Sequence, residues 1–318
     1  MNTLLTDDQG RYDVVVIGGG PAGLQAALTL GRMHRTVLLL DSGDYRNATA
    51  DHLHNFVTHD GTRPAQWRAA ARANLAAYDT VTLRETAATR VKVDGDDDFR
   101  IELADGARVG ARALVLATGL RDTLPDKPGL AALFGTVAAH CPYCHGHEFT
   151  GKHVAVLGSA MHTAQVALLV SRIASRLTIL ADGARPDAET AALLARSGIP
   201  VDAREVDGFE PAADGAVVGF ADGGTLEIGG LFVATTWAQS APFAEDLGLS
   251  LLPSGCIEVD AMGRTSLAGV YAAGDLAHTA ALPMPLSSVL NAAAAGQVAA
   301  SALDRDLMVS DHELGVPA

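Results

Sequence analysis

Cys141-Pro142-Tyr143-Cys144 puts two thiols three positions apart, and His140, His145, His147 and Glu148 stand directly around them. Cysteines at this spacing can close a small, unstrained disulfide ring, and Pro142 fixes a backbone angle that suits the first turn of a helix. The exposed amide dipoles of such a helix start favour a thiolate over a thiol. Histidines and a carboxylate beside the pair are proton carriers for a reaction that moves protons together with electrons. The stretch reads as a redox dithiol, provided the chain supplies something to exchange electrons with. Cys141 and Cys144 are the catalytic candidates, and His145, ahead of His140 and His147, is the candidate proton carrier.

Two other chemistries use the same residue types. Cys-x-x-Cys-His is the attachment pattern of c-type haem, which would require export, yet residues 1–10 carry neither a basic start nor an apolar core of signal-peptide length. A cytoplasmic protein is the expectation. A closed zinc site normally needs a second Cys/His pair at similar spacing, which the sequence lacks, so no metal is expected. Cys256, the remaining cysteine, stands in an apolar, glycine-containing stretch and reads as a core or strand residue.

The elements that must position the dithiol belong to an α/β protein. A chain of 318 residues is long enough for two domains, each with its own core. No apolar run is long enough to span a bilayer. A formal charge of −14 argues against nucleic acid as the main partner, because phosphate backbones need clustered Lys and Arg.

Tyr12-Asp13-Val14-Val15-Val16-Ile17 is a β-branched run suited to a strand buried on both faces. It leads into Gly18-Gly19-Gly20-Pro21-Ala22-Gly23 and then into Leu24-Gln25-Ala26-Ala27-Leu28-Thr29-Leu30, whose apolar spacing is helical. Gly18, Gly20 and Gly23 fill the positions that let backbone N–H groups approach a pyrophosphate between a strand and a helix. A second strand, Thr36-Val37-Leu38-Leu39-Leu40, ends in Asp41. That is about twenty residues downstream, where an acidic side chain grips a ribose hydroxyl. Residues 42–61 form a polar loop with Arg46, Asn47, His52, His54 and His59, placed to fold over a dinucleotide or to border a substrate entrance. Its histidines read individually as loop residues.

Residues 64–78 read as a helix. Residues 81–85, 89–93, 99–103 and 108–109 alternate like antiparallel strands, with the acidic run Asp94-Gly95-Asp96-Asp97-Asp98 as a solvated turn. Ala113-Leu114-Val115-Leu116 is a further buried strand ending in Ala117-Thr118-Gly119, and residues 125–129 have a linker-like composition. After the cysteines, residues 153–164 repeat the strand, turn and helix in degraded form: Gly158 remains, while Ala160 and Thr163 take the second and third glycine positions. The next strand ends in Ala181-Asp182-Gly183 without an adjacent Arg cluster for a 2′-phosphate. NADPH is expected to bind poorly, and Asp182 keeps NADH as the better nicotinamide candidate. Near the end, Ala272-Ala273-Gly274-Asp275 closes a strand where Asp275 can accept from a polyol chain or cap the turn, and a helix is expected over residues 287–303.

In this order the residues Gly18 to Gly23, Ala117-Thr118-Gly119, Cys141 to Cys144, the degraded second fold and Gly269 to Asp275 resemble the low-molecular-weight thioredoxin reductases over nearly the whole chain. The resemblance implies two Rossmann-like dinucleotide-binding domains of three-layer ββα type, the second inserted into the first. A discontinuous FAD domain would comprise residues 1–118 and 243–318, and an inserted nicotinamide-binding-like domain with the cysteine pair residues 119–242. It implies FAD held by Gly18, Gly20, Pro21, Ala22, Gly23, Asp41, Arg46, Asn47, Ala117, Thr118, Gly119, Gly274 and Asp275. NAD(P)H stays open. Cys144 would face and bond the flavin, and Cys141 would exchange with the substrate. A homodimer is usual for the family.

His145 after the second cysteine, and the bare Ala181-Asp182-Gly183, are more similar to the reductase-like dithiol oxidases that close disulfides in metabolites such as gliotoxin and holomycin. The expected partner is accordingly a small dithiol or disulfide, or a thioredoxin-like protein. Three functions stay open: a dithiol oxidase passing electrons to oxygen or another acceptor, a nicotinamide-dependent disulfide reductase, and a flavin-bound redox sensor.

Overall fold

A computed structural model describes residues 10–95 and 98–314, so the leader reading and Asp96 and Asp97 of the acidic turn lie outside the described residues. Val14, Val15 and Val16 have no exposed surface, as a continuous β-branched run requires when it lies in the middle of a parallel sheet. The strand Arg11–Ile17 pairs in parallel with Val37–Leu40 on one side and Arg108–Leu116 on the other. Two corrections to the sequence pattern arise here. Val81–Arg84 is not part of the antiparallel set: it extends the parallel sheet beside Val37–Leu40. The segments at 108–109 and 113–116 are one strand, whose first half pairs with Asp98–Leu103 and whose second half pairs with Val270–Ala272. Alternation reports which face is buried and says nothing about which partner supplies the hydrogen bonds.

The helices Pro21–Arg32 and Val289–Asp311 cross closely beside this sheet, and both are rich in Ala and Gly for that reason. A Cβ on Gly296 would stand 2.1 Å from the Ala22 carbonyl oxygen. Ala normally improves a helix interior by up to about 1 kcal/mol over Gly. Gly296→Ala is nevertheless expected to lower the Tm, because overpacking costs about 1–3 kcal/mol; an unchanged or higher Tm in calorimetry would contradict the contact. The last helix runs eight residues past the expected stop at residue 303. Its apolar pattern fades there, but Arg35 ion-pairs with Asp304 and Asp311, and Arg112 with Asp13 and Asp311.

A second parallel sheet runs in the order Val201–Asp202, Arg176–Leu180, His153–Leu157, Gly230–Val233, Ala138–Ala139, accompanied by an antiparallel sheet of Val206–Ala212, Gly215–Phe220 and Thr225–Ile228. The chain divides into two compact units: residues up to Arg46 with Ala65–Arg121 and the segment from Ala238 on, and Asn47–Pro64 with Asp122–Trp237. This departs from the expected boundaries mainly at Asn47–Pro64, which joins the second unit. Residues 125–129 are not a free linker either. Lys127 Nζ donates to Asp182 Oδ1 at 2.8 Å and to the Val206 carbonyl, fixing the segment inside the second unit. Among the described residues no helix is long and apolar enough to cross a membrane.

Candidate functional site

In the second unit, the edge strand Ala138–Ala139 delivers the chain to Cys141, the residue before the helix Pro142–His145. Sites in open parallel sheets form at this end of the strands. Cys141 and Cys144 are joined in a disulfide with their Cα atoms 5.3 Å apart. The helix is a single turn, so the amide dipole that the sequence pattern suggests is a short one. Tyr143, between the two cysteines, is 70% exposed. His140 stacks on Phe134 at 5.8 Å, and His147 is exposed on the following turn.

His145 is half-buried, and its Nδ1 is buried without a hydrogen-bond partner among the described residues. Burial pushes its pKa below the ordinary histidine value, with the Glu148 charge and the Gly135 backbone partly opposing that shift. Burial therefore favours the neutral ring. No group of three or more His, Cys, Asp or Glu side chains among the described residues is arranged to hold a metal ion.

In the first unit, the turn after Arg11–Ile17 fits a dinucleotide. Gly18 has φ 122°, and a Cβ there would meet the Ala117 carbonyl oxygen at 2.2 Å, while a Cβ on Gly23 would meet the Gly18 carbonyl oxygen at 1.8 Å. Gly20 differs from both, since a Cβ there meets nothing within 4 Å. Gly20 caps the helix without a side-chain hydrogen bond, and Pro21 follows at the first turn, so the first amides keep free donors facing open space. Gly274 closes on Ala22, with a would-be Cβ 3.0 Å away, and Asp275 follows it. Arg46 Nη1 donates to Asp275 Oδ2 at 2.7 Å and to Ser287 Oγ at 3.1 Å. Thr118 and Gly119 follow the neighbouring strand Arg108–Leu116.

Two of the predicted binding residues have surroundings that the sequence does not show. Asn47 falls in the second unit, apart from the rest of the set in the chain's division. Asp41, expected on a ribose, is 1% exposed and already has protein partners on both oxygens. Tyr45 and Arg72 donate to its Oδ2 and the Gly43 amide to its Oδ1. Arg68 lies over the Tyr45 ring at 3.7 Å. Arg72 and Arg68 carry no motif; from the helix Pro64–Leu75 the first reaches Asp41 and the second the Tyr45 ring, so no local pattern points to them.

The second turn carries a threonine side chain where the first has Gly23. Thr163 is 2% exposed, with its Oγ1 2.8 Å from where a Cβ on Gly158 would lie. Asp182, expected to be available to an NADH ribose, instead accepts from Lys127 and from the Val206 amide, both at 2.8 Å. Arginines do stand near this strand end. Arg204 accepts from the Gly183 amide through its carbonyl, but its guanidinium is paired with Asp202 and stacked on Phe220, whereas Arg185 is exposed.

The family described as pyridine nucleotide-disulphide oxidoreductase matches residues 12–297. A thioredoxin reductase, tcpT of Claviceps purpurea, is 33% identical over 93% of this chain and 95% of its own length. The crystal structure of HlmI superposes with a TM-score of 0.89 at 31% identity, covering 98% of this chain and 96% of that one. A putative thioredoxin reductase of Bacillus anthracis superposes with a TM-score of 0.88 at 29% identity, covering 94% and 99%.

Proposed function

Because the chain belongs to the pyridine nucleotide-disulphide oxidoreductases, as a thioredoxin reductase-like flavin enzyme acting on sulfur groups, we propose that it oxidises small dithiols to disulfides and passes the electrons to oxygen or another acceptor. The observation that carries this reading is Asp182. The acidic side chain at the ribose position of the second turn is held by Lys127 and the Val206 amide, beside a turn filled by Thr163. FAD would be held at the first turn by the amides of Gly18 to Gly23, by residues 117–119, and by Gly274 and Asp275 with Arg46. When bound, the flavin supplies a two-electron acceptor that can pass electrons onward.

The chain's own residues do the sulfur chemistry. A substrate thiolate attacks Cys141 Sγ, the Cys141–Cys144 bond breaks, and Cys144 leaves as a thiolate. The second substrate thiol then attacks the sulfur bound to Cys141, which releases the substrate disulfide and the Cys141 thiolate. Two electrons remain on the cysteine pair. His145, neutral through burial, takes the proton of the incoming thiol. Cytoplasmic location and a homodimer complete the reading by resemblance.

A second reading, nicotinamide-dependent reduction of a thioredoxin-like protein, is favoured by the names of the relatives and by the exposed Arg185. Equilibrium titration of oxidised holoenzyme with NADPH and NADH separates the two: the oxidase reading expects neither to saturate below millimolar concentration, and micromolar binding of NADPH would contradict it.

Asp275 gives a separate test of the flavin site. Asp275→Ala removes a polyol acceptor and leaves Arg46 without its carboxylate, and FAD retention is expected to weaken by about 1–3 kcal/mol. An unchanged FAD dissociation constant would assign the Asp275 carboxylate to its contact with Arg46 alone.

A further inference from the structure

Asp41 stands where an acidic side chain grips a ribose hydroxyl, yet the fold turns it inward. It is 1% exposed. Its Oδ1 accepts from the Gly43 amide at 3.0 Å, and its Oδ2 accepts from Tyr45 Oη at 2.8 Å and from Arg72 Nη2. The carboxylate also lies against the first glycine turn, since a Cβ on Gly19 would stand 1.9 Å from Oδ2. A buried carboxylate is costly unless it is paired and hydrogen-bonded, and these partners supply both.

The partners hold one another as well. Arg72 reaches in from the helix Pro64–Leu75, donates from Nη1 to Glu85 Oε1 at 2.6 Å and from Nη2 to Tyr45 Oη at 2.9 Å. Arg68, one turn earlier on that helix, covers the Tyr45 ring at 3.7 Å. Tyr45 is thus fixed at both its hydroxyl and its ring. The segment from Asp41 to Tyr45 closes into a turn, with Gly43 in left-handed backbone at φ 79°. Arg46 comes next in the chain, and its Nη1 donates to Asp275 Oδ2 at 2.7 Å and to Ser287 Oγ at 3.1 Å. All these residues belong to the first unit.

We propose that Asp41 is a positioning residue and not a ribose contact: with Tyr45 and Arg72 it sets the 41–46 turn, and through that turn it places the Arg46 guanidinium on Asp275. This rests on the flavin reading of the first unit. A hydroxyl acceptor must offer a lone pair to space that a ligand can enter, and Asp41 is covered by the groups it binds. Its bond to the amide two residues on is the turn-forming contact that a short acidic side chain makes readily. Fixing Tyr45 fixes the backbone from which Arg46 extends. Loss of the Asp41 charge is therefore felt at the polyol end that Asp275 serves, and not at the adenosine hydroxyls.

The test titrates the full chain, stripped of flavin, with FAD and with an FAD analogue that lacks the adenosine 2′-hydroxyl, followed by flavin fluorescence. Asp41→Asn is expected to weaken FAD about tenfold and Tyr45→Phe about threefold, and each should cost less than about twofold once Arg46→Met is present. Tyr45→Phe keeps the ring under Arg68, so it carries the test if Asp41→Asn folds poorly. Losses that stay the same in the Arg46→Met background would mark a merely structural role and overturn the proposal. The ratio of affinities for FAD and the analogue should be the same in wild type and in Asp41→Asn. A preference for FAD that Asp41→Asn abolishes would return Asp41 to the ribose and overturn the proposal too. If the wild type takes up neither ligand, the flavin reading falls and the proposal with it, whereas flavin binding with additive losses overturns the positioning role alone.

Discussion

Gly20→Val is expected to give a folded protein that purifies without colour. The substitution is informative because two effects that usually coincide are separated at this position. A Cβ on Gly18 or Gly23 would strike backbone at 2.2 or 1.8 Å, so replacing either would damage the fold before any ligand is considered. Gly20 has φ −79° and ψ −175°, a conformation open to valine, and a Cβ there meets no protein atom within 4 Å. The space it enters is the one in front of the free amides of the helix Pro21–Arg32. A valine there keeps a pyrophosphate off the amides, and a loss of about 3 kcal/mol, or more than 100-fold in the FAD dissociation constant, is the expected scale. The Tm of the apo protein should match that of wild-type apo protein. A yellow variant that keeps its flavin through dialysis would place the cofactor elsewhere.

Cys144→Ser is expected to abolish both turnover and the thiolate–flavin charge-transfer absorbance while leaving FAD bound. Removing Sγ of Cys144 also removes the disulfide, so Cys141 is left as a free thiol that can still form a mixed disulfide with a substrate or a thiol reagent. Cys141→Ser should show the reverse pattern: turnover is lost, the charge-transfer band persists, and no substrate is trapped. If the band vanishes in Cys141→Ser and survives in Cys144→Ser, the roles of the two cysteines are exchanged. In wild-type protein the band belongs to the two-electron-reduced form, because the oxidised pair is a disulfide, and it should weaken with acidification. A thiolate protonates as pH falls, whichever neighbour holds its proton.

Much of the architecture was legible because it is local. The run from Tyr12 to Leu30 carries strand, turn and helix within nineteen residues, and residues 153–164 repeat that logic closely enough to be read even with Ala160 and Thr163 in glycine positions. The cysteine pair was legible for the same reason, since its spacing alone defines the ring. What escaped is what distant segments create together. The pattern at 81–84 alternates as an edge strand of either hand would, so nothing in it reveals a parallel partner at Val37–Leu40. Asp41 looks available until Arg72 and Tyr45 arrive from other segments, and Asp182 looks available until Lys127 does. Residues 125–129 have a linker's composition but are tied down through Lys127, because Pro and Gly mark a bend whether or not it is anchored. His54 is the clearest case. Its Nε2 lies 3.4 Å from Glu148 Oε1, a carboxylate from beyond the cysteines, while His52 is exposed, and no local pattern contains that difference.

Anaerobic stopped-flow mixing of the oxidised holoenzyme tests the direction of electron flow most directly, with a small dithiol in one syringe or NADPH in its place and the flavin absorbance as the readout. The account predicts full bleaching of the flavin by the dithiol, with NADPH slower and incomplete, and reoxidation on admitting oxygen. Complete reduction by micromolar NADPH within milliseconds, with a thioredoxin then restoring the oxidised absorbance, would contradict it and establish a nicotinamide-dependent disulfide reductase.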